Sequence, residues 1–129
     1  MDIQELLKLT IKNKASDLHL LVNVPPTLRI DGVLRTLTNT PPLTPEVMET
    51  MLYSLLTPEQ KELLLTNKEL DFSFGFNDGS PTETGRFRVN AYFQRGYLSA
   101  ALRFLAPNVR SIEDLGLPKY RTSQILFAI

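Results

Sequence analysis

The sequence predicts an α+β fold: a mixed or antiparallel sheet of about five or six strands, with the helices packed mainly on one face. Two observations carry this. Several stretches alternate apolar and polar residues with period two, the pattern of half-buried strands, most clearly from Arg86 to Phe104. Others repeat apolar residues at helical spacing behind an N-capping residue. The 129 residues suit one domain and suffice for a core without staples.

Asp2 opens a first helix, with Glu5 placed for a capping box and Ile3, Leu6, Leu7 and Ile11 on one face. Ala15 to Val22 reads as a strand whose Leu18, Leu20 and Val22 point one way and whose Asp17 and His19 point the other. An Asp and a His two residues apart fit either a hydrogen-bonded structural pair or a base held in one tautomer. Pro25-Pro26 interrupts the chain. Thr27–Ile30 and Val33–Leu37 then flank Asp31-Gly32, a strong hairpin signal. Thr44-Pro45 starts a second helix with Val47, Met51, Leu52 and Leu55 as its apolar face. Thr57-Pro58-Glu59-Gln60 restarts the helix in the same way, with Gln60 placed for a capping box and Leu63 and Leu64 packing it down. Glu69 to Phe76 alternates again, with Leu70, Phe72, Phe74 and Phe76 toward the core and Asp71 and Ser73 away from it. Asn77 to Gly85 reads as a polar loop, Ser111 to Gly116 as a short helical turn, and Leu117-Pro118 as a hinge. The apolar Leu126-Phe127-Ala128-Ile129 has nothing after it to fold against, which suggests a truncated chain.

The central hairpin fixes a register. With Arg95-Gly96 at the turn, Gln94 faces Tyr97, Phe93 faces Leu98, Ala91 faces Ala100, Val89 faces Leu102 and Phe87 faces Phe104. The same register sets Arg88 opposite Arg103 on the polar face. Like charges across a strand pair are destabilising, so an anion is expected nearby. It could be internal, Asp71 or Glu69 or simply solvent. It could also be external, a phosphate, for which paired guanidinium forks are suited.

Composition removes several classes. There is no cysteine, so no disulfide or thiolate metal site, and a single histidine argues against a metal centre. No apolar run reaches the roughly 20 residues that span a bilayer, and the N-terminus is not a signal peptide, so a cytoplasmic protein is expected. The net charge is zero, but residues 1–85 carry seven basic and twelve acidic side chains and residues 86–129 carry seven basic and two acidic. Without a dense Lys/Arg cluster this asymmetry does not imply nucleic acid. No G-x-x-x-x-G-K-[ST] loop and no Ser/His/Asp or metal-ligand constellation stands out.

The segments ASDLHL (Ala15–Leu20), PPTLRIDG (Pro25–Gly32), LDFSF (Leu70–Phe74), RFRVNAYFQRG (Arg86–Gly96), LRFL (Leu102–Leu105) and EDLGLP (Glu113–Pro118) occur here in one order. In that order and spacing they resemble the N-terminal domain of the PilT-type twitching-motility ATPases, the type IV pilus retraction motors of the secretion-ATPase superfamily. The resemblance implies a PAS-like domain over residues 1–106, a linker or hinge over 107–118, and over 119–129 the truncated start of a RecA-like ATPase core. It further implies a homo-hexameric ring at the cytoplasmic face of the inner membrane, with a pilus platform protein as partner. ATP, with Mg2+, would sit between the two domains, approached by arginines of the N-terminal domain. By position these match Arg88 and Arg103, and less closely Arg86 and Arg95. Asp17 and His19 become candidate interface residues within or between subunits. The chain holds no Walker A or Walker B motif, so the 129 residues alone are not expected to hydrolyse ATP or to hold it tightly. The alternative is a free-standing PAS-like module that senses a ligand or binds another protein.

Overall fold

A computed structural model describes residues 2–77 and 84–105. The elements run α1 (Ile3–Lys12), β1 (Asp17–Leu20), β2 (Thr27–Ile30), β3 (Val33–Thr36), α2 (Pro45–Tyr53), α3 (Pro58–Asn67), β4 (Glu69–Asn77), β5 (Thr84–Gln94) and β6 (Tyr97–Leu105). The strands form a six-stranded sheet in the order β3-β2-β1-β6-β5-β4, and every paired neighbour is antiparallel. The expected α+β architecture is therefore present, in its antiparallel form. The expectations for a turn at 111–116, a hinge at Leu117-Pro118, a linker over 107–118 and a core start over 119–129 lie outside the described residues, as does the centre of the 77–85 loop.

Local chemistry explains the boundaries. Asp2 accepts the Glu5 N–H at 2.9 Å, one half of the box expected there. The complete reciprocal box is at Thr57 and Gln60, ahead of Pro58. Both tight hairpins place two successive residues at positive φ: Asp31 (52°) with Gly32 (79°), and Arg95 (54°) with Gly96 (82°). That is the primed turn whose twist suits two-residue hairpins. Arg95 adopts it without the usual Asn, Asp or Gly because the pairing on either side fixes the register.

One core lies between the sheet and the three helices. Ile3, Leu6 and Leu7 of α1, Met48, Met51 and Leu52 of α2 and Leu64 of α3 meet Leu18, Leu20, Leu28, Phe87, Val89, Ala91, Ala100 and Leu102 of the strands. The helices thus share one face of the sheet, as expected. Phe87 is fully buried and stacks on Phe74 at 5.6 Å, meets Phe104 at 5.2 Å and Phe76 edge-on at 6.1 Å.

Two helix faces differ from expectation. In α2 the buried stripe is Met48, Met51 and Leu52, and Val47 is turned out. In α3 only Leu64 is buried, and Leu63 faces solvent. Neighbouring helical residues stand about 100° apart, so of two adjacent leucines one turns away from a narrow seam. β1 is also shorter than Ala15–Val22: past Leu20 the chain leaves the ladder, and Val22 makes one isolated parallel bridge to Leu43. β4 and β5 instead extend into the expected 77–85 loop, to Asn77 and from Thr84.

Candidate anion site on the open sheet face

The face of the sheet away from the helices carries the polar members of β1, β2, β4, β5 and β6, and cross-strand register lines them into rows. One row reads, from β2 to β4, Arg29, Asp17, Arg103, Arg88 and Ser73. Three guanidinium groups and one carboxylate thus stand on adjacent strands. The expected pairing of Arg88 with Arg103 is present, and with it the whole β5–β6 register from Phe87↔Phe104 to Gln94↔Tyr97.

The internal anion of this row is Asp17, on β1, and not Asp71 or Glu69. Arg103 Nε donates to Asp17 Oδ1 at 3.2 Å, and Arg29 Nε stands 3.9 Å from Oδ2. The Ser16 hydroxyl donates to Oδ2 at 2.6 Å. Asp17 is only 8% exposed. Burial acts to raise its carboxyl, but the Ser16 hydrogen bond, the Arg103 hydrogen bond and charge, and His19 together outweigh burial and hold it below its ordinary 3.8. Asp71 and Glu69 are occupied elsewhere: both accept from Asn90 Nδ2, at 2.8 and 3.2 Å.

Arg88 is left over. Among the described residues it has neither an ion-pair nor a hydrogen-bond partner. It lies with Arg103, Asp17 and Asp71 around a depression of about 430 Å3. A second depression of about 320 Å3 adjoins it, lined by Arg88, Arg86 and Ser73. Arg86 donates to Ser73 Oγ at 3.2 Å. The structure therefore gathers Arg86, Arg88 and Arg103 at one end of the hairpin. It does not bring Arg95 there: Arg95 is in the turn, roughly 23 Å along the strand from Arg88 at about 3.3 Å per residue. His19 lies one row over from Asp17, between Thr27 and Ala101, and among the described residues its buried Nε2 has no hydrogen-bond partner. Nothing in the sequence marks Ser16 or Arg29 as part of this row. Arg29 sits inside the PPTLRIDG segment, but its role depends on β2 pairing with β1, which no local pattern encodes. Among the described residues, no group of three or more His, Asp or Glu side chains is placed to hold a metal ion, and no helix is long and apolar enough to cross a membrane.

Compared with known proteins, the chain is 37% identical over 117 residues to the type IV pilus retraction ATPase PilT of Pseudomonas aeruginosa, a match covering 91% of this chain and 32% of the relative. The chain is a homologue of the type IV pilus ATPases. A second relative, the type IV pilus ATPase PilU of the same organism, is 31% identical over 119 residues, covering 92% of this chain and 30% of PilU. A crystal structure of the pilus retraction motor PilT with bound ADP matches at a TM-score of 0.77 and 40% identity, covering 93% of this chain and 34% of that one. The structural counterpart is the N-terminal domain of PilT. The chain spans about a third of the length of these pilus ATPases. No family model matches it.

Proposed function

We propose that this chain is the N-terminal domain of a hexameric type IV pilus retraction ATPase. It packs on a RecA-like motor core, supports ring assembly and presents Arg88 and Arg103 to the phosphates of ATP. On this reading Mg2+ accompanies the nucleotide, and both are held mainly by the core. The motor works at the cytoplasmic face of the inner membrane against a pilus platform protein. Homology to the retraction motor PilT supports the motor assignment, and the ADP in the solved PilT structure supports a nucleotide ligand.

The observation that carries the role of the arginines is the unbalanced row. Asp17 is shared between Arg29 and Arg103, and Arg88 stands beside them without a partner among the described residues. A cation left unpaired next to another cation is poorly explained by stability alone. It is well explained by an anion that arrives from outside.

The test is Arg88→Gln in the 129-residue chain and in the whole protein that carries it. The domain is expected to melt unchanged, or to gain up to about 1 kcal/mol from relief of like-charge repulsion. Turnover of the whole protein is expected to fall on the order of 10³-fold if Arg88 acts as an arginine finger does. A destabilised domain, or a stable domain whose parent keeps normal turnover, overturns the assignment.

A further inference from the structure

Arg103 has one nitrogen engaged and two spare. Its Nε donates to Asp17, and among the described residues its terminal nitrogens have no other partner. Its side chain is 68% exposed, whereas that of Asp17 is 11% exposed. Asp17 does not depend on Arg103 to stay in place, because Ser16 and Arg29 hold its other oxygen. One partner is therefore a fixed post and the other an arm that leans on it.

We infer that Asp17 is a positioning residue. By gripping Arg103 at Nε it holds the terminal fork free beside Arg88, so that the two arginines form a two-armed clamp for a polyphosphate. This rests on the nucleotide reading above and adds to it a residue that touches no phosphate itself. A guanidinium can do this because it is a rigid planar fork: one edge can hold a carboxylate while the other takes a second anion. A lysine ammonium, a point charge on a flexible stem, cannot divide itself in this way. Arg88 supplies the second arm from the facing position, about 5 Å away at Cα. Two arms at that separation can each take a different phosphate group of one molecule.

The inference has an unusual sign. Asp17 is negative and lies beside the proposed anion. If it acted only as a charge, removing that charge would tighten phosphate binding. If it positions Arg103, removing it weakens binding although the site becomes more positive.

The experiment uses the 129-residue chain, 15N-labelled, at low ionic strength, with inorganic tripolyphosphate as the probe. Side-chain Nε–Hε resonances of the arginines are followed in wild type, Asp17→Asn and Arg103→Lys, each checked by thermal melting. In wild type the probe is expected to shift Arg88 and Arg103 together. Asp17→Asn is expected to weaken binding about five- to tenfold, the equivalent of one typical net hydrogen bond. Arg103→Lys keeps the charge and the partner for Asp17, and is expected to weaken binding by a similar factor. If Asp17→Asn does not fold, Arg103→Lys decides. A wild type that binds at these arginines, with either folded variant binding as well or better, overturns the positioning role alone. A wild type with no shift at Arg88 or Arg103 at any probe concentration overturns the clamp; the nucleotide reading, in which the core holds the nucleotide, stands or falls separately with the turnover of Arg88→Gln in the whole protein.

Discussion

Asp17 is under opposed pressures that its own sequence neighbourhood does not reveal. Burial disfavours its charge, and Ser16, Arg103 and His19 favour it more strongly, so the folded carboxyl titrates below its ordinary 3.8. The unfolded chain then binds this proton more readily than the folded one, and stability falls as the proton goes on. The contribution of Asp17 is fully present above pH 3.8 and is lost as pH falls below that value through the folded pKa. Wild type is therefore expected to melt above Asp17→Asn at pH 7, with the gap narrowing below pH 4. Thermal melts of both proteins across that range check this, and a gap that widens toward acid contradicts it. The Arg88–Arg103 pair was legible from the sequence because hairpin register is local. Its counter-ion was not, because Asp17 and Arg103 are 86 residues apart and meet only once β1 has docked on β6.

The β4–β5–β6 meander was the most legible part of the fold, and its glycines show why its register is tight. A Cβ at Gly85 would stand 2.7 Å from Cζ of Phe104 and 3.1 Å from the Leu105 carbonyl oxygen. The Phe104 ring cannot give way freely, because it packs on buried Phe87 at 5.2 Å. Gly85→Ala is expected to cost about 1–3 kcal/mol, as overpacking does. Gly75 is the internal control, since among the described residues a Cβ there meets only Arg86 Nη1 at 3.5 Å, an ordinary contact. Gly75→Ala is expected to stay within about 0.5 kcal/mol. Urea melts of the two variants should separate them, and equal stabilities would show that Phe104 moves aside at little cost. The helices were legible in position and less so in facing. Thr44 and Thr57 announce their starts, but the seam of α2 runs through Met48 and not Val47, and that of α3 through Leu64 and not Leu63. Consecutive apolar residues leave the phase of a short helix open until the surface it packs on is known.

The molecule is one-sided: its helices cover one face of the sheet, and the other carries the arginine row with apolar residues along it. Leu34, Tyr97 and Leu105, on that open face by register, are 53%, 47% and 40% exposed. Such singly scattered side chains do not amount to a dry interface. On the proposed reading this face is covered by a partner that brings an anion to Arg88. The sequence contains no G-x-x-x-x-G-K-[ST] loop to cradle that anion, and the matched relatives are about three times as long. The 129-residue chain alone is therefore expected to be monomeric or weakly dimeric and to show no ATP turnover. Sedimentation velocity across a concentration series, run beside a coupled ATPase assay, measures both. A stable hexamer from this chain would mean that the described surfaces suffice for the ring and that no core is needed to cover the open face. Turnover above background in a clean preparation would mean that the arginine row does chemistry without a phosphate loop. Either result would contradict the division of labour proposed here, in which this domain supplies cations to a nucleotide that another domain holds.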